Sequence, residues 1–214
     1  MRVWEVEIEL LSDLHTAGER KGSVIDVLRR DGKVYLPGSH IKGVVRTEAE
    51  RIWFGKNGKR ICWVTGDPYG TEKEPAGIKP CGDRSGCPVC ELFGVPEQER
   101  WGERYLDPAL RFTDFVLLRD KGVSERTHVM ILRDKGSKVE GALFSERAIP
   151  RGSIFRGFIL MIRDLGGGGE RLLEGALHSA ADYGFGGGRS RGLGWVRVRI
   201  DKDSSIGRMK EVLS

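Results

Sequence analysis

Hydrophobic and polar positions alternate from the start of the chain: Trp4, Val6, Ile8 and Leu10 fall on one face, Val3, Glu5, Glu7 and Glu9 on the other. A period of two is that of a strand with one face in a core. At Ser39, which suits an N-cap, the period changes. In SHIKGVVRTEAERIWFG, residues Ile41, Val44, Val45, Ile52 and Trp53 form a helical stripe that ends at Gly55. Strand character returns at LRFTDFVLL (110–118) and SIFRGFILMIRDL (153–165), both rich in β-branched and aromatic residues. Between them, THVMILRDKGSKVEGALFSERAIP predicts a hairpin arm whose tip, DKGSK, is basic and turn-rich. A second helix over about 169–183 buries Leu172, Leu173, Ala176, Leu177 and Ala180, stops at Gly184, and leads to a last strand over 194–201.

The order of these elements is β-α-β-β-α-β. It predicts an α+β fold with a ferredoxin-like (RRM-like) core, the split unit shared with RNA-recognition modules. In that topology the first and last strands are antiparallel neighbours. Glu5, Glu7 and Glu9 share one face and Arg197 and Arg199 share another, so opposite charges would meet, each pair favouring the pairing by up to about 1 kcal/mol. The chain reads as a single domain over 1–214 with two insertions. One, at about 56–104, is polar and holds all four cysteines and five of the eight prolines; the other is the hairpin arm at 123–150. A long irregular connection in a compact domain is usually functional.

Composition narrows the partner. With 36 Lys and Arg against 31 Asp and Glu the chain carries a formal charge of +5, and its pI is near 9.1, a balance that suits a polyanion. No apolar run approaches the ~20 residues of a membrane span, and the N-terminus lacks a signal-peptide pattern. A soluble, cytoplasmic protein is expected. One Asn (Asn57) and one Gln (Gln98) beside a 31% charged fraction is the composition of a thermophile's protein.

The segment GFGGGRSRGLG (184–194) places six glycines around Arg189 and Arg191. Such density costs conformational entropy, so it predicts positive φ and close approach of a ligand to the backbone; two fixed cations make that ligand an anion. The loop fits neither a P-loop nor a dinucleotide fingerprint, because it follows a helix and precedes a strand. Lys42 and Arg46 lie one turn apart at the start of the first helix, whose N–H groups also favour phosphate. Contacts of this kind bind a nucleic-acid backbone without reading sequence. In the insertion, Cys87-Pro-Val-Cys90 forms a C-x-x-C knuckle, with Cys81 six residues earlier and Cys62 further off. Four thiolates suit a tetrahedral structural zinc that holds together an otherwise coreless insertion. His40 is the alternative fourth ligand to Cys62, and disulfides are the alternative chemistry.

These motifs together resemble a known family. Gly184-Phe185-Gly186 and Gly192-Leu193-Gly194 match the G-h-G-x-x-x-x-x-G-h-G loop of the RAMP superfamily of CRISPR-associated proteins. YLPGSHIKGVVR (35–46) resembles the P-G-S-x-x-K-G segment that opens the first helix in backbone subunits of type III effector complexes, although His40 departs from the small hydroxyl residue usual at its position. GALFSERAIPRGSIF (141–155) resembles the stem of the hairpin that these subunits insert across the guide–target duplex, and the length resembles the short Csm-type subunit. The resemblance implies a CRISPR RNA-binding subunit that forms a filament of its own copies along the guide, beside other type III subunits. It places Lys42, Arg46, Gly184, Gly186, Arg189, Arg191, Gly192 and Gly194 on the RNA. It also implies cutting of guide-paired target RNA at regular intervals by an aspartate between the first strand and first helix. Asp26 matches best and Asp31 is the other candidate. The chemistry would be Mg²⁺ binding or activation of a ribose 2′-OH. A non-catalytic RNA-binding subunit, and a guide-processing endoribonuclease using a histidine such as His15, are the alternatives.

Overall fold

The computed structural model describes residues 1–57, 87–94, 107–131 and 138–214. The larger of its two sheets is built around β1 (Arg2–Leu10), with β11 (Val196–Ser204) on one side and β10 (Ile154–Met161) on the other, both antiparallel. Beyond β10 come β7 (Phe115–Arg119), β5 (Lys33–Leu36) and the two-residue β4 (Arg29–Arg30), while β6 (Leu110–Phe112) pairs with the far end of β10. Helices α1 (Gly38–Asn57) and α3 (Gly166–Tyr183) pack on each other and on one face of this sheet. The core lies between: Trp4, Val6, Ile8 and Leu10 of β1, Phe155 and Ile159 of β10, Ile41, Val45 and Ala49 of α1, and all five predicted residues of α3 are buried. Val44, Ile52 and Trp53 are only partly buried, at the edge of that core.

On the other face of β1 the predicted charge pairing is present. Glu7 lies opposite Arg199 and Glu9 opposite Arg197, with N–O distances of 3.3 and 3.0 Å. Arg156 of β10 adds ion pairs at 2.8 Å to Glu5 and 3.2 Å to Glu7. RNA-recognition modules stack bases on this face. Here its middle is a mutually neutralised acid–base grid.

The strand expected over 110–118 is two strands. At the break, the backbone N–H of Thr113 donates to the Phe158 carbonyl (3.0 Å) and the Phe158 N–H donates to the Thr113 hydroxyl (2.9 Å), so a side chain replaces one rung of the ladder. Asp114, displaced by the same break, accepts the Gly38 N–H at 2.8 Å. The start of α1 is thus held by a remote carboxylate and not by Ser39. The loop expected between β1 and α1 is also a correction: it folds into β2 (Ala17–Lys21), β3 (Val24–Val27), β4 and β5. Gly22 turns the first hairpin. Asp31 and Gly32 turn the second with φ of 50° and 77°, the type I′ requirement.

The smaller sheet runs β2-β3-β9-β8, with β8 (Ser124–Ile131) and β9 (Lys138–Ala148) forming the hairpin arm. Its tip, 132–137, falls outside the described residues. β3 joins β9 in parallel, pairing Val24 with Ser145 and Ile25 with Glu146. Two further elements complete the fold: α2 (Pro88–Phe93), packed on α1, and α4 (Ile206–Leu213), capped by the Ser205 hydroxyl, which accepts the Arg208 N–H at 3.1 Å.

Candidate nucleic-acid interface

The glycine loop closes on itself and on the segment after β1. Phe185 N–H donates to the Gly194 carbonyl (2.9 Å), Gly194 N–H to Asp13 O (2.8 Å) and Gly187 N–H to His15 O (2.9 Å), while Phe185 and Leu193 anchor it as buried side chains. The glycines are dictated by this packing. A Cβ on Gly194 would stand 1.9 Å from the Phe185 carbonyl oxygen and one on Gly186 2.4 Å from the His15 oxygen, both at positive φ. At Gly184, Gly186 and Gly194 the close neighbour is the protein's own backbone. Only Gly192 of the four faces open space.

What the loop presents outward is one 3₁₀ turn, Arg189–Arg191, with left-handed Gly188 and Gly192 at its ends and no buried residue. Arg189 and Arg191 are both exposed. Arg189 lies near the start of α1: burial, then the Arg189 charge, hold the His40 imidazole below its ordinary pKa, and His40 Nε2 is buried without a hydrogen-bond partner among the described residues. Arg191 lies 3.8 Å from Glu146 on β9. Glu146 in turn lies 3.2 Å from His128 of β8. The loop therefore brings together the start of α1 and the root of the hairpin arm, two segments far apart in the sequence.

Lys42 and Arg46 part company. Lys42 is half-buried; desolvation, then the neighbouring Arg46 charge, lower its pKa, with Asp107 opposing. The Arg46 side chain is only 10% exposed and is held inside the protein, its Nε on Glu50 at 2.9 Å and its Nη1 on the Gly94 carbonyl at 2.8 Å. Its guanidinium ties α1 to the end of α2, inward from the surface on which an RNA contact was expected. The reason is the arrival of α2 against the Lys42–Arg46–Glu50 stripe, which a helix read alone does not reveal. Burial raises the Glu50 pKa against the lowering effect of Arg46, with a smaller raising contribution from Cys87. Cys87 and Cys90, at the start of α2 and one turn on, are both buried. Cys62 and Cys81 lie outside the described residues, and among the described residues no three ligating side chains form a cluster.

Asp26 sits on β3 and not in a loop. One carboxylate oxygen accepts the Val27 N–H at 2.7 Å and the other meets Arg147 Nη1 at 3.2 Å. Arg147 also lies 3.6 Å from Glu125, and its carbonyl is 2.9 Å from His15 Nδ1. A carbonyl only accepts, so Nδ1 carries the imidazole proton and Nε2 is the basic nitrogen of neutral His15. Asp31, the other candidate, is exposed at the tip of a tight turn, where its positive φ gives it a backbone role. Asp13, which the sequence did not single out, joins the segment after β1 to the arm through Arg126 (3.0 Å), Ser124 (3.2 Å) and the Arg151 N–H (3.0 Å). Burial would raise its pKa, but these hydrogen bonds outweigh it and hold the carboxyl below its usual range.

No curated protein matches the chain. Among solved structures, a chain of a "Type IV-B CRISPR Complex" superposes with a TM-score of 0.68 at 14% identity, over 95% of this chain and 92% of that one. A likeness at that identity speaks for the fold alone. The family model of the RAMP superfamily matches residues 7–197, a span that reaches from β1 through the glycine loop to β11. With nine-tenths of its length inside that match, the chain belongs to the RAMP superfamily.

Proposed function

We propose that this chain is an RNA-binding subunit of a CRISPR effector complex, of the type III backbone kind, and that it cuts guide-paired target RNA through Asp26. The observation that carries the reading is the meeting of two segments far apart in the sequence at one exposed turn: Arg191 lies 3.8 Å from Glu146 of the arm, which also bears Asp26's partner Arg147, and the Arg189 charge acts on His40 at the α1 start. The strands β1, β6 with β7, β10 and β11, with α1 and α3, are read as a ferredoxin-like core in one domain. The guide backbone runs over Arg189, Arg191, Gly192 and the start of α1 near Lys42. Phosphate contacts of this type accept any guide sequence. Copies of the chain repeat along the guide beside other subunits of the complex, in the cytoplasm; no described helix is long and apolar enough to cross a membrane.

Binding of several unrelated single-stranded RNAs across a salt series tests the interface. Replacing Arg189 and Arg191 together by Ala is expected to weaken every RNA alike and to lower the slope of log K against log salt by about 1.4, at about 0.7 per lost phosphate contact. Unchanged affinity would remove the loop from the interface.

In the cutting step a ribose 2′-oxygen attacks the adjacent phosphorus as the bond to the 5′-oxygen breaks. The 2′-OH loses a proton, the departing 5′-oxygen gains one, and the products are a 2′,3′-cyclic phosphate and a 5′-hydroxyl. Asp26 takes part as the carboxylate beside the 2′-OH, and positioning by the duplex supplies most of the barrier reduction. Asp26 offers Mg²⁺ a single carboxylate, and target phosphates would have to provide the other ligands. The alternative is a non-cutting scaffold, favoured by the fact that both Asp26 oxygens already have protein partners.

For the cysteines we propose a structural zinc held by Cys62, Cys81, Cys87 and Cys90. Cys87 and Cys90 fit it by position: they bracket the first turn of α2, within the insertion that also carries the other two cysteines. Elemental analysis is expected to give about one zinc per chain. Metal-free protein with these cysteines in disulfides would refute it.

A further inference from the structure

We infer that Arg147 is the phosphate-binding residue of the cutting site, holding Asp26 with one arm of its guanidinium and the scissile phosphate with the other. The inference rests on the reading of Asp26 as the cutting carboxylate and adds the group that lets a phosphate approach it. Asp26 and Glu125 both face Arg147, at 3.2 and 3.6 Å. Two carboxylates this close together would by themselves repel a phosphodiester. Arg147 is the cation at hand. Its side chain is 42% exposed, and its fork carries five N–H donors. Nη1 is spent on Asp26, Nε faces Glu125, and Nη2 has no protein partner among the described residues.

The register explains why this one residue is suited to the task. Parallel pairing of Ile25 with Glu146 puts the next residues, Asp26 and Arg147, side by side on the same face. The antiparallel pairing of Glu125 with Arg147, and of Thr127 with Ser145, extends that face along the arm. There the two hydroxyls, 3.2 Å apart, follow directly on the charged group. The backbone of Arg147 is fixed as well, since its carbonyl accepts the His15 Nδ1–H. A guanidinium is rigid and planar, so a phosphate oxygen on Nη2 lies a set distance from the carboxylate on Nη1. That geometry places Asp26 beside the sugar preceding the phosphate. A lysine would supply the charge without the spacing.

The test uses a reconstituted, guide-loaded complex and target RNAs carrying one uncharged methylphosphonate linkage, moved junction by junction, with 2′-deoxy residues preventing cutting. At one junction in each repeating block the substitution is expected to weaken wild-type binding about tenfold. In the Arg147→Ala complex the same substitution is expected to cost nothing further, while Arg147→Lys gives an intermediate loss. Equal losses in wild type and Arg147→Ala at every junction would overturn the inference, because a merely structural arginine gives that additive result. Cutting of unmodified target by Asp26→Ala is measured alongside. Lost cutting with additive binding losses removes Arg147 and keeps Asp26; retained cutting with the coupled losses removes Asp26 as the cutting carboxylate and keeps the phosphate contact.

Discussion

Replacing Asp26 with Ala is expected to abolish regularly spaced cutting of guide-paired target while leaving folding, guide binding and assembly intact. The fold should tolerate the change. Asp26 is a partly exposed residue whose hydrogen bonds go to the adjacent Val27 N–H and to Arg147, and Arg147 keeps Glu125 as a second partner. Losing an exposed ion pair of this type costs about 1 kcal/mol or less. Losing a group that assists proton transfer costs on the order of 10²–10⁴ in rate. The two effects differ enough to be read separately: a melting curve of the variant near that of wild type, and cleavage products reduced by at least a hundredfold. Asp31→Ala is the internal control. Its residue holds a left-handed turn position, so it is expected to lose some turn stability and to cut at close to the normal rate. Wild-type spacing and rate in the Asp26→Ala complex would leave a scaffold subunit as the better reading.

The parts of this fold legible in the sequence are those whose partners leave a periodic mark. The stripe of α3 and the alternation of β1 each point at a core, and the acid–base match of Glu7 and Glu9 with Arg199 and Arg197 points to the β1–β11 pairing, although Glu5 lies opposite Asp201. The stretch from 11 to 37 left no such mark. Its four strands are two to five residues long, too short to show a period, and β3 and β5 find their partners in β9 and β7, about a hundred residues away. Gly22-Ser23 and Asp31-Gly32 are the local hairpin signals there. α4 carried a signal too, with Ser205 as cap and Ile206, Met209 and Leu213 at helical spacing.

The candidate site divides the same way. Arg189 and Arg191 are exposed by glycines that any reading would notice. Arg46 turns inward because α2 packs on its side of α1, which no spacing within α1 encodes. Arg147 becomes visible only through the parallel register of β3 on β9. The structural reason for the glycines is backbone-to-backbone packing against Asp13 and His15, and the proposed anion contact belongs to the two arginines they present.

The central claim is that many copies of this chain lie along one guide and hold its backbone without reading its bases. Native mass spectrometry of complexes formed on guide RNAs of increasing length and unrelated sequence tests it most directly. On the proposed reading each subunit would grip the guide through a fixed set of groups, chiefly Arg189, Arg191 and the start of α1, and so occupy a fixed length of backbone. The number of bound chains is therefore expected to rise by one for every constant increment of guide length, at the same increment for every sequence. A single bound chain whatever the length, or a copy number set by the sequence of the RNA, would contradict the account.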